Sequence, residues 1–183
     1  MDVVVLDEGD SRYPAMLPKH LGDSAPASVS ICGNADILNR PDKLAIFCSA
    51  KCPGELILKT YDFVCSLRDK GVTTVGGFHS PMEQECLRLL LRGTQPVILC
   101  PARGIAAMRL RKEWRKPLDE GRLLIASPFG EKQNRMTARL AEKRNDFVAT
   151  LADTIVVSYA SPGGKTERFC QRLIASGKNL ITL

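Results

Sequence analysis

From Lys43 to the end of the chain, short apolar runs alternate with segments of helical period, and this rhythm restricts the fold more than any other feature. Lys43 to Cys48 (KLAIFC) is apolar and too short for a buried helix, so it is expected to be a strand buried on both faces. Gly54 to Lys70 places Leu56, Ile57, Thr60, Phe63, Val64 and Leu67 on one helical face, and Gly71 supplies the stop. The alternation then repeats. Val72 to Val75 is a strand ending at Gly76-Gly77, Met82 to Arg92 a helix, and Pro96 to Cys100 a strand. Leu123 to Ala126 is a further strand. Gln133 to Leu151 is predicted as one long helix, with Met136, Leu140, Phe147, Val148 and Leu151 facing inward. Thr154 to Tyr159, Lys165 to Ser176 and Asn179 to Leu183 complete the series as strand, helix and strand. Such alternation implies an α/β Rossmann-like three-layer sandwich with a mostly parallel central sheet.

The 183 residues suit a single domain spanning 1–183, with residues 1–40 as an N-terminal lead-in. That lead-in has little periodicity, although Ser28 to Cys32 has the character of a short strand. No apolar run reaches the length of a membrane span. The opening MDVVVLDEGDS carries acids where a signal peptide carries lysine or arginine, so a cytoplasmic location is expected. The seven cysteines are odd in number, and Cys48, Cys65, Cys86, Cys100 and Cys170 fall in apolar surroundings, as reduced structural thiols do. Cys48 and Cys52 are four apart, but no second pair or nearby histidine completes a zinc site, so neither metal nor cofactor is expected. The net charge of +6 favours anionic partners without naming one.

In open parallel sheets ligands bind outside the carboxyl ends of the strands. Those ends carry Ser49-Ala50-Lys51, Gly76-Gly77-Phe78-His79-Ser80, Pro101-Ala102-Arg103-Gly104 and Ser161-Pro162-Gly163-Gly164-Lys165-Thr166. Glycines let backbone amides approach an anion, and a helix N-terminus adds unpaired N–H groups and the positive end of its dipole. The candidate phosphate contacts are therefore Ser49, Lys51, Gly76, Gly77, Ser161, Gly163, Gly164, Lys165 and Thr166. Neither GxGxxG nor GxxxxGK[ST] is present, which argues against a nicotinamide enzyme or a P-loop ATPase. Arg144 and Asn145 lie in the long helix among Arg139, Glu142 and Lys143, where charge pattern alone reads a solvated face. The basic segment 109–116 (RLRKEWRK) fits either a solvated helix or a second phosphate-tracking patch around Trp114.

Several stretches, in consistent order, resemble the DprA/Smf family of DNA-processing proteins within the wider SLOG group. Tyr13-Pro14, Ala25-Pro26 and Ile31-Cys32-Gly33-Asn34 are similar to its lead-in, and Ala45 to Lys51 to its vaivGSR strand and loop. Gly71 to Glu83 is similar to its ivSGlArGiD corner, and Glu142 to Asp153 to its RN-containing helix. The corner Pro162 to Glu167 looks more like the PGGxGTxxE motif of the related LOG nucleotide phosphoribohydrolases. The departures are specific. Cys48-Ser49-Ala50-Lys51 stands in place of Gly-Ser-Arg, Gly76-Gly77-Phe78-His79 in place of Ser-Gly-Leu-Ala, and Glu83 in place of aspartate. Glu167 directly follows Thr166, and one motif glycine is missing.

The resemblance implies binding of single-stranded DNA or a nucleotide across the strand ends, in DNA processing and without catalysis. It gives Arg144 and Asn145 a place beside the same pocket. Because relatives often dimerise, it also implies a homodimer. Two alternatives stay open. One is a LOG-type nucleoside 5'-monophosphate phosphoribohydrolase with Glu83 and Glu167 as its carboxylates. The other is a small-nucleotide sensor or interaction module. For the DNA reading, Phe78, His79 and Tyr159 are placed to stack on bases.

Overall fold

The computed structural model describes residues 2–183, so the first residue of the expected domain lies outside it. Eight strands form one sheet: β1 (Val4–Asp7), β2 (Ser28–Gly33), β3 (Leu44–Cys48), β4 (Thr74–Gly76), β5 (Val97–Leu99), β6 (Leu123–Ser127), β7 (Thr154–Tyr159) and β8 (Leu180–Thr182). Their order is β1-β2-β6-β5-β4-β3-β7-β8. The six strands from β3 onward are parallel to one another. β1 and β2 add an antiparallel pair beside β6. The rhythm of the sequence showed the parallel part; β1 and its pairing were not visible in it, because β1 buries only Leu6 and leaves Val5 facing solvent.

Six helices cover the sheet: α1 (Met16–Leu21), α2 (Gly54–Asp69), α3 (Pro81–Leu90), α4 (Lys112–Asp119), α5 (Ala138–Leu151) and α6 (Lys165–Ala175). Strand side chains point alternately to two cores. On one face Ala45 and Phe47 of β3 and Leu124 and Ala126 of β6 join Leu17, Phe147, Val148 and Phe169 from α1, α5 and α6. On the other, Ile46 and Cys48 with Leu123 and Ile125 join Val64, Met82, Cys86 and Trp114 from α2, α3 and α4. The result is the three-layer arrangement expected from the periodicity.

The long helix needs correcting. It was expected from Gln133, but α5 starts at Ala138, and Met136 is 56% exposed rather than inward. Thr137 ends the preceding loop by accepting a hydrogen bond from the Leu140 amide at 3.2 Å, an N-cap that fixes the first turn. Upstream, the Gln133 carbonyl accepts from the Gly104 amide at 2.8 Å, tying that segment to the loop after β5 instead of to a helix.

Candidate functional site

The chain leaves β3 toward β4, β5 and β6, then returns to the opposite side of β3 to lay down β7 and β8. The switch in direction therefore falls between β3 and β7, where an open α/β sheet leaves a crevice at its carboxyl edge. The two loops at that point are joined. Ser49 donates its amide to the Tyr159 carbonyl at 2.8 Å, and its hydroxyl accepts the Ser161 amide at 2.9 Å. Ser49 is consequently buried, whereas Lys51 two residues on is exposed and has no acidic partner among the described residues.

One strand over, the corner after β4 is shaped by Glu83. This residue occupies the third position of α3, and its carboxylate reaches back in a capping box with Ser80. Oε2 accepts from the His79 amide at 2.8 Å and the Ser80 amide at 3.3 Å, while Oε1 accepts from the Cys48 amide at 3.0 Å. Glu83 thus ties the ends of β3 and β4 together. Between them Phe78 takes a left-handed backbone conformation (φ 45°), rare for a side chain of its size, and its ring lies over Gly76. A buried Phe78 is wall rather than free stacking platform.

Arg144 enters this corner from α5 and is 95% buried, because its fractional exposure is 5%. Its guanidinium lies against Gly77: a Cβ there would fall 1.6 Å from Nη1 and 2.0 Å from Cζ. Nη1 donates to the Cys100 carbonyl at 3.2 Å and Nε to Asn145 Oδ1 at 2.8 Å. Nη2 has no acceptor among the described residues. Burial draws the Arg144 pKa down from its ordinary value, and the nearby charge of Glu83 opposes that. The charge pattern read this arginine as solvated. The structure instead places it inside, since the missing side chain of Gly77 leaves it a berth.

Arg144 lines a cavity of about 230 Å³ above the ends of β4 and β5. Phe78, Met108 and Trp114 wall it, and Arg88, Arg103, Arg109 and Arg111 surround it with Glu113 as the one acid. Arg88 is bound to Glu85 at 2.6 Å, and Arg111 lies over Trp114 at 5.1 Å. Arg103 and Arg109 have no acidic partner among the described residues. Of the basic segment 109–116, unassigned from the sequence, Arg109, Arg111, Glu113 and Trp114 therefore rim this hollow, while Lys112, Arg115 and Lys116 are exposed outside it. Its signal was Arg109 and Arg111 on alternate positions ahead of a tryptophan, but the loop connecting β5 to α4 has no period to reveal where they point.

The glycine corner after β7 belongs to a neighbouring groove. Lys165, Thr166, Glu142, Asn145 and Phe169 line it, and Lys165 lies 3.6 Å from Glu142. Gly163 takes a φ of 67° and donates its amide to Glu167 Oε2 at 2.7 Å, while the Gly164 amide closes the turn on the Ser161 carbonyl. Glu167 thus folds back on its own loop. Neither it nor Glu83 lines the arginine-rimmed cavity, and the structure does not bring the two carboxylates into one hollow. Arg144 and Asn145, hydrogen bonded to each other, stand one in each depression.

These features define a Rossmann-like α/β protein with a basic, glycine-lined rim at the carboxyl edge of its parallel strands. The model of the DNA recombination-mediator protein A family matches residues 4–166, and the chain belongs to that family. The DprA/Smf resemblance and the fold expected from it are thereby established. DNA processing protein A from Streptococcus pneumoniae superposes with a TM-score of 0.80 at 19% identity, over 100% of this chain and 63% of that one. This chain therefore spans under two thirds of that protein. DNA processing protein A from Helicobacter pylori, described for its single-stranded DNA binding mode, gives 0.79 at 17% identity, over 100% and 80%. The molybdenum cofactor carrier protein from Chlamydomonas reinhardtii gives 0.52 at 12%, over 78% and 76%. At such identities the superpositions speak for the fold. No curated protein sequence matches the chain.

Proposed function

We propose that the chain binds single-stranded DNA or nucleotide phosphates along the carboxyl edge of the sheet, as part of DNA processing and without chemistry of its own. The observation that carries this reading is the buried Arg144, its Nη2 unspent, in a hollow surrounded by four further arginines. Nη2 is not among the buried atoms left without a partner, so it reaches solvent, where an anion can take the place of water in a charge-assisted hydrogen bond. The cavity lies below the roughly 300–1,000 Å³ usual for ligand pockets, so it suits one phosphate-sugar or base, with the rest of a strand on the open rim. Lys51, Ser161, Gly163, Gly164, Lys165 and Thr166 extend the reading toward the switch point. The single-stranded DNA binding of the Helicobacter pylori relative supports it. Homodimerisation and a cytoplasmic location belong to the same reading; among the described residues no helix is long and apolar enough to cross a membrane.

A phosphoribohydrolase finds less support. Both oxygens of Glu83 already accept backbone N–H groups, and Glu167 is folded onto Gly163, so neither carboxylate stands free for acid–base work. Fluorescence anisotropy with a labelled single-stranded oligonucleotide, beside a base-release assay on nucleoside monophosphates, separates the two. Micromolar or tighter binding without released base is expected, with Lys51→Ala and Arg144→Ala each weakening it. Release of base, or unchanged affinity in both variants, would overturn the proposal.

A further inference from the structure

Three depressions on the carboxyl edge run into one another. The arginine-rimmed hollow shares His79, Ala102 and Met136 with a trough of about 320 Å³. That trough in turn shares Ala138 and Ala141 with the groove that carries Lys165 and Thr166. Both ends of this track are cationic: Arg103 and Arg144 line one, and Lys165, Arg168 and Arg172 the other. The middle is not. His79, Ala102, Met136, Thr137, Ala138 and Ala141 line it, with no lysine, arginine or carboxylate among the described residues. Met136 is 56% exposed there, and of the exposed large apolar side chains among the described residues it alone lines any of the three depressions.

We propose that this trough is a base-binding saddle, in which one unpaired nucleobase rests on Met136 while its flanking phosphates occupy the two cationic depressions. The inference rests on the reading that a strand crosses this edge, and it adds which part of the strand enters the middle. Charge complementarity assigns the occupant. A cationic, apolar, cationic sequence of surfaces matches an anionic backbone that turns one base inward. An uncharged ligand would leave both ends without anions, and a duplex can offer a base only by unpairing it. At one end the donor is already in place, because Arg144 is buried and its Nη2 has no acceptor among the described residues. The methionine suits the middle. Its unbranched thioether is polarisable and makes favourable contacts with aromatic rings, and it adapts to a purine or a pyrimidine alike. His79, its amide held by Glu83 at 2.8 Å, adds ring nitrogens that can donate to or accept from a base edge.

The experiment measures anisotropy of the whole protein with two labelled probes of equal length and charge. One is an oligothymidylate; the other carries the same phosphates on abasic tetrahydrofuran sugars. The wild type is expected to bind the oligothymidylate more tightly. Met136→Ala should weaken that binding by about two- to ten-fold, the span of sulfur–ring contacts. It should leave the abasic strand and the salt slope of both unchanged, because no phosphate contact is lost. Leu58→Ala, which removes an exposed apolar side chain from α2, is the control and should alter neither probe. Equal wild-type affinity for the two strands would overturn the saddle while leaving phosphate binding in place. So would an equal loss on both strands in Met136→Ala, a changed salt slope, or the same loss in the control. A wild type that binds neither probe would sink the DNA reading itself, and the saddle with it.

Discussion

Gly77 and Glu83 show how single side chains hold the proposed site open. Gly77 has an ordinary backbone, so its requirement is spatial: the Arg144 guanidinium fills the place of its Cβ. Gly77→Ala is expected to destabilise the protein by about 1–3 kcal/mol, the usual range for overpacking, and to weaken oligonucleotide binding because Arg144 must move. Urea denaturation and anisotropy check the two halves, and an alanine tolerated in both would show that the arginine does not depend on this berth. Glu83 is a tie made of charge-assisted hydrogen bonds. Glu83→Gln replaces an acceptor oxygen by an amide donor facing backbone N–H groups. A loss of about 1.5–3 kcal/mol is expected, as for other hydrogen bonds to charged groups. Unchanged stability together with lost turnover of a nucleotide would return Glu83 to a catalytic role. The sequence placed both residues at a strand-end corner, yet nothing in it distinguished a tie from a catalyst, since an acid three residues into a helix serves either purpose.

Among the elements, those with strong period were legible and those set by tertiary contacts were not. β3, α2, β7 and α6 fall within a residue or two of their expected limits, because both strands run buried and both helices carry a clear apolar face. α5 lost five residues at its start to a cap at Thr137 and to the tie between Gln133 and Gly104, neither of which leaves a periodic trace. The foot of β3 holds another such contact. Lys43 is fully buried, its ammonium donating to the Arg40 carbonyl with Asp153 Oδ2 at 3.9 Å, and its amide donating to the same Asp153 oxygen at 2.8 Å. Burial lowers its pKa from the ordinary 10.5, while Asp153 opposes. Folded Lys43 therefore holds its proton less firmly than unfolded Lys43. Its unfavourable contribution is full below the lowered folded value and fades as pH rises toward 10.5. The stability of Lys43→Met relative to wild type is thus expected to fall as pH rises through that window. Urea midpoints at neutral and alkaline pH measure this, and a constant difference would contradict it.

For the molecule as a whole, the parallel sheet gathers basic groups from distant parts of the chain along one edge. Lys51, Arg103, Arg109, Arg144 and Lys165 come from four segments, Arg103 and Arg109 sharing the loop between β5 and α4, and the strand-end rule allowed the first, second and last to be grouped from sequence. Arg109 escaped that grouping because its loop is irregular, and Arg144 because its helix neighbours are charged. With Phe78 and Trp114 buried and Arg111 over the indole, base stacking is left to the exposed His79 and the half-buried Tyr159, so charge should dominate recognition. The most direct measurement is the affinity for a single-stranded oligonucleotide across a salt series, for wild type and for an Arg109→Ala/Arg111→Ala variant. Each neutralised phosphate of a single strand contributes about −0.7 to the slope of log K against log salt. A wild-type slope of about −2 or steeper is predicted, flatter by about 1.4 in the variant, as for two lost phosphate contacts. A wild-type slope near zero, or the same slope in both proteins, would contradict the assignment of this rim to phosphates.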